Sequence, residues 1–172
     1  MAKYSKEEKE TIEKVKEYLK NIRTLKIEKL SLELEYNDIP SPQSPNISKE
    51  LSGGYVKPKD QQYDSYIIKR ELILKRINIF NEELDKFIPV LYLLKKGHRN
   101  IIQCYITARS YNEMIDMLYN DHCISESTYC RTIPEICLEL AKHLDYKRPV
   151  TIAELNTRFG ESIRNDSKMK GK

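Results

Sequence analysis

Tryptophan is absent from the 172 residues, phenylalanine occurs three times and glycine five times. Without Trp and with little Phe, a core must come from Ile and Leu, with the 12 tyrosines at half-buried seams. Few glycines beside 33% charged residues argue against a turn-rich sheet protein and for long solvated helices. No apolar run approaches the roughly 20 residues that cross a bilayer. The opening MAKYSKEEKETIEK is charged and has no apolar signal core. The expectation is a cytoplasmic chain without a membrane contact, whose Cys104, Cys123, Cys130 and Cys137 stay reduced.

Catalytic signatures are missing too. No phosphate-cradling glycine loop of the Walker or dinucleotide type occurs. No glycine turn accompanies a cysteine, and no Asn or Asp is placed to orient His98, His122 or His143. Cys123, Cys130 and Cys137 are seven apart, whereas zinc sites use closer ligand pairs. On a helix that spacing separates Cys130 from Cys137 by about 10 Å along the axis. They are expected to be small core residues, so neither an enzyme, a metal nor a cofactor is expected.

What is present is helical periodicity. Residues 1–37 hold a first long helix, with Ser5 as cap and Glu7, Glu8 and Glu10 at the positive end of its dipole. Ile12, Val15, Leu19 and Ile22 form a coiled-coil seam, which resumes after a register shift at Ile27, Leu30 and Leu34. Residues 38–62 hold Pro40, Pro42, Pro45, Pro58 and Gly53-Gly54, a flexible loop that lets the chain reverse. Residues 63–95 form the second long helix, with a seam of Ile73, Ile77, Phe80, Leu84, Phe87, Leu91 and Leu94. Pro89 interrupts it with a kink or a new helix start, and Gly97 ends that piece. The two long helices are expected to pack as an antiparallel hairpin, or to align with a second copy as a homodimer.

Residues 96–146 read as a small domain of short helices. Ile101, Ile102, Tyr105 and Ile106 share one helical face, and Met114, Ile115, Leu118 and Tyr119 share another. Ser125 caps a third helix carrying Tyr129, Ile133, Ile136, Cys137, Leu140 and Leu144. A short helix, a turn and a longer helix with a polar start make a helix-turn-helix pattern. Residues 147–172 read as a basic, partly disordered tail, with a short capped helix over 151–159 and a frayed end.

The series His98-Arg99-Asn100-Ile101-Ile102, Tyr105-Ile106, Ser110-Tyr111-Asn112-Glu113-Met114 and Ile124-Ser125-Glu126-Ser127-Thr128 resembles phage-encoded, sigma-region-4-like regulators of the ArpU/RinA type. The resemblance implies an all-α protein: a helical hairpin, then a helix-turn-helix that docks in promoter DNA of phage or prophage late or packaging genes. Ser127, Thr128, Arg131 and Thr132 would face the groove, with Tyr129 near its rim. Arg99, Ser110 and Tyr111 would lie near the flanking backbone. The coiled coil would hold a partner, either a second copy or RNA polymerase.

The chain departs from that pattern in charge and in three local features. Six Lys or Arg face seven Asp or Glu over residues 98–148, although phosphate neutralisation drives most non-specific affinity. Pro134 is expected to kink the third helix, at a cost of about 3 kcal/mol. The turn is expected to run from Asn120 to Cys123, longer than usual, and Ile115 stands where a small residue would let the helices cross closely. The rival expectation is an interaction protein of the same fold that binds a protein rather than DNA.

Overall fold

The structure, a computed structural model, describes residues 4–42 and 59–169. Within them the regular elements are all α-helices, and no strand occurs. The first, α1, spans Lys6–Asp38. Its start is set by a capping box: the Ser5 hydroxyl accepts the Glu8 N–H at 3.1 Å, and the Glu8 carboxylate accepts the Ser5 N–H at 2.8 Å. The next helix, α2, spans Lys59–Asp85. Tyr18 meets Phe87, Glu28 pairs with Arg76 at 3.3 Å, and the Arg70 guanidinium sits 4.1 Å from the Tyr36 ring centroid. Partners that rise along one helix and fall along the other make α1 and α2 antiparallel.

The seam of α1 follows the sequence at first and then leaves it. Ile12, Val15, Leu19 and Ile22 are buried as expected, but the buried line continues through Leu25, Leu32 and Ile39. Ile27, Leu30 and Leu34 are exposed instead. At 3.6 residues per turn they lie on the opposite side of α1 from Leu25 and Leu32. A register shift of three residues at Ile22–Leu25 keeps the seven-residue repeat facing α2, so the second apolar triplet is left outside. The earlier part of residues 38–62 is also trimmed: α1 runs to Asp38, α2 starts at Lys59, and the Pro- and Gly-rich core of that segment, 43–58, lies outside the described residues.

The second long helix divides. A third, α3, spans Ile88–Leu93, with Pro89 in its first turn. Proline has no N–H to continue the α2 ladder, yet loses nothing at a helix start. Phe87, Leu91 and Leu94 are buried across this break and prolong the α2 seam. Gly97 does not end α3. Leu94, buried with extended backbone, ends it, and Gly97 sits inside α4, Lys96–Thr107. Then come α5, Tyr111–His122, and α6, Glu126–Leu140. The last, α7, spans Ile152–Met169.

The core is organised on α1, which packs against α2, α4 and α6, while α5 closes on α4 and α6. Leu19, Leu25, Phe80, Ile102, Met114, Leu118, Ile136 and Leu140 are its fully buried centre. Residues 151–169 correct the expectation of a partly disordered tail. Thr151 and Glu154 cap α7, Leu155 is fully buried, and α7 lies along α2. Arg158 reaches Glu83 at 3.1 Å and Lys75 pairs with Asp166, so opposite charges offset the polar sequence that reads as frayed.

Candidate nucleic-acid interface

Two helices and a link form the region singled out by the sequence. The apolar face of α5 buries Met114 and Leu118, and that of α6 buries Tyr129, Ile133, Ile136, Cys137 and Leu140. Between them lie only Cys123, Ile124 and Ser125. Asn120 to His122 belong to α5, so the turn is shorter than the sequence suggested. Cys123 makes the shortening possible. Its φ of 55° is left-handed, and it turns the chain so that the Ile124 N–H reaches the Leu118 carbonyl at 2.9 Å. Non-glycine residues seldom adopt this conformation. Nothing in the sequence marks Cys123 for it, because glycine is the usual signal.

The helix starts are capped by their own side chains. The Ser110 hydroxyl accepts the Glu113 N–H at 3.1 Å, and Glu113 accepts the Arg109 N–H at 2.6 Å. Ser125 accepts the Thr128 N–H at 3.3 Å, and its hydroxyl lies 3.0 Å from that of Thr128. The Tyr111 hydroxyl donates to Glu126 at 2.7 Å. This bond, more than burial, raises the Tyr111 pKa. Thus a carboxylate stands at the first turn of both α5 and α6, where a phosphate would otherwise be favoured.

The expected contact residues separate into three groups. Ser127 and Arg131 lie on the outer side of α6, exposed, their side chains without a hydrogen bond or ion pair to a described residue. Thr128 and Thr132 are half-buried at its edge, Thr128 engaged by the cap. Tyr111 is exposed, and Ser110 is exposed but used as cap. Arg99 and Tyr129 do not belong to a groove-facing surface. Tyr129 is buried, edge-on to Tyr111 at 6.4 Å between centroids, and desolvation pushes its hydroxyl up to about 12. Its spacing of four from Ile133 places it on the core face, not at the rim. Arg99 is half-buried, 5.0 Å from the Tyr92 ring centroid, and donates to the Leu94 carbonyl at the end of α3.

Pro134 lies inside α6, which continues as helix on both sides of it. The missing N–H would have served Cys130, whose residue is exposed, so water can take that carbonyl. Cys104 and Cys137 are buried, and desolvation raises both thiols, Cys137 to about 12. Cys123 and Cys130 are exposed. Among the described residues no three His, Cys, Asp or Glu converge as metal ligands. His122 Nδ1 instead meets the Asn100 amide at 3.2 Å, and His98 Nδ1 meets Glu139 at 2.8 Å, tying α4 to its neighbours. No described helix is long and apolar enough to cross a membrane. Compared with protein-family models, curated proteins and solved structures, the chain matches none.

Proposed function

We propose that the chain is a DNA-binding regulator of transcription, with α5 and α6 as a helix-turn-helix and α6 entering the major groove. The observation that carries this reading is the three-residue link with its left-handed Cys123, which leaves the Ser127 and Arg131 side chains outward on the first turns of α6. Arg131 supplies the base contact, bidentate to a guanine, and Ser127 a phosphate or base-edge contact. Thr128 and Thr132 flank them, and the exposed Arg109 is placed to meet the backbone. The sequence resemblance makes phage or prophage late promoters the targets.

A second reading has its own support. Glu113 and Glu126 occupy both helix starts, and residues 98–148 carry more acid than base. These favour an adaptor that binds RNA polymerase or another protein through the same surface. Fluorescence anisotropy with a promoter duplex across a salt series separates the two. For DNA binding, log affinity falls with log salt by about 0.9 per phosphate neutralised. Arg131→Ala then costs about 1–3 kcal/mol on the cognate duplex and little on a scrambled one. Absence of duplex affinity at low salt, or equal losses on both duplexes, refutes base reading by α6.

A further inference from the structure

The outer triplet on α1 has no partner among the described residues. Ile27, Leu30 and Leu34 are 42%, 44% and 58% exposed, and their spacing of three and four makes one continuous helical stripe. Isolated exposed apolar residues are ordinary, whereas a stripe on one face marks an interaction surface. The stripe begins where α4 stops covering α1. Lys26 Nζ donates to the Thr107 hydroxyl at 2.9 Å, and beyond that point lies an open groove of about 470 Å³. Ile27, Leu30 and Ile106 line its floor, with Lys26, Thr107 and Arg109 at the rim.

Charge along this half of α1 is segregated about Leu30. Lys20, Arg23, Lys26 and Lys29 precede it, with Glu28 the one acid, already paired to Arg76. Glu33, Glu35 and Asp38 follow it, with no base between them, and Glu33 already holds Lys29 at 3.2 Å. We infer that the stripe is a self-complementary face on which a second copy of this chain packs, α1 antiparallel to α1, with the two-fold axis at Leu30. An isologous contact requires a surface that complements itself, and this arrangement does. Leu30 meets Leu30. Leu34 of each copy comes level with Ile27 of the other and enters the groove beside Ile106. Lys26 faces Glu33 of the second copy, which it shares with that copy's Lys29, and Lys20 faces Asp38. A parallel pairing would instead set Lys20 and Lys26 against themselves.

Lys26 itself fits a missing partner. It is half-buried, its pKa is lowered first by desolvation and then by Lys29, and no carboxylate pairs with it among the described residues. The inference is independent of what α6 binds. It also differs from a dimer built on the buried seams, which α1 and α2 satisfy with each other.

Sedimentation equilibrium on the full chain tests it. The expected result is a reversible dimer that becomes monomeric in Leu30→Glu, with far-UV circular dichroism unchanged because the position is exposed. Two charge-swapped chains supply the second arm: Lys20→Glu with Lys26→Glu, and Glu33→Lys with Asp38→Lys. Each alone is expected to self-associate at least about tenfold more weakly, since each like-charged contact occurs twice across the axis. Mixed in equal amounts, they are expected to pair with each other at least as tightly as wild type. A wild-type chain that stays monomeric to its solubility limit overturns the inference. So does a dimer that survives Leu30→Glu, or swapped chains that fail to pair when mixed.

Discussion

Cys123→Gly isolates the backbone geometry on which the α5–α6 link depends. The residue has φ 55°, and its side chain is exposed. Substitution therefore removes little packing and relieves a conformation that costs a non-glycine residue about 1–2 kcal/mol. Glycine's larger unfolded-state entropy takes back about 0.5–1 kcal/mol. The balance is a stabilisation on the order of 0.5–1 kcal/mol, or about 2–4 °C in Tm for each kcal/mol in a chain of this size. Cys123→Val has the opposite sign, because β-branching worsens the left-handed conformation. Cys130→Gly, exposed but within α6, is the control and destabilises by about 0.3 kcal/mol, the difference between the helix propensities of Cys and Gly. Urea unfolding followed by circular dichroism at fixed protein concentration reads all three. If Cys123→Gly is less stable than wild type while Cys130→Gly behaves as expected, the left-handed link is wrong, and with it the short turn.

Leu155→Ala tests whether residues 151–169 are an integral helix. Leu155 is fully buried, so truncation is expected to cost about 2–5 kcal/mol by urea unfolding, where a frayed tail would show no change. Alkaline pH gives a second check. Burial raises Cys137 from 9.0 and Tyr129 from 10.0, each to about 12. Raised folded pKa values mean the stability is intact below the unfolded values and is lost as pH rises through 9 and 10 toward 12. Urea midpoints measured from pH 7 upward are expected to fall from pH 9, and in Cys137→Ala the fall between pH 9 and 10 is expected to be shallower, with the buried Cys104 thiol left to contribute there. A midpoint that stays flat to pH 11 would contradict the burial of both groups.

Local order was legible wherever one periodicity had one interpretation. The α2 seam reads correctly through Ile73, Ile77 and Phe80 because it is the stripe that runs unbroken at spacings of four and three, whereas Ile67, Ile68, Leu72 and Leu74 on other faces are left exposed. Ser5 and Ser125 read correctly as caps because the cap is chemistry between residues three apart, whereas Ser110, expected at the DNA backbone, caps α5 by the same chemistry. Ile27, Leu30 and Leu34 misled because α1 carries two apolar stripes past Ile22, and periodicity alone does not say which one a neighbour covers. At the site, the exposure of Ser127 and Arg131 is legible from their phase on α6, whereas Tyr129, expected at the rim, is buried in phase with Ile133. The capping role of Glu113 follows from a local Ser-x-x-Glu start, whereas the Tyr111–Glu126 bond joins two helices and has no local pattern.

By itself the sequence determined the helical class, the caps, the break at Pro89 and the chemical character of each face, since these follow from propensity, capping and spacing along one chain. The tertiary structure alone decided which stripe of α1 is buried, that residues 151–169 dock on α2, and that Arg99 and Tyr129 are withdrawn from the outer surface. Each of those depends on which residues distant in sequence come into contact. A charged helix such as α7 is marginal alone and is stabilised by burying Leu155 and pairing its charges with α2. The turn at Cys123 belongs with them: it joins two helices whose apolar faces are buried, and the Cys123 and Ile124 N–H groups close on the Tyr119 and Leu118 carbonyls, in a conformation that a cysteine's own preferences oppose.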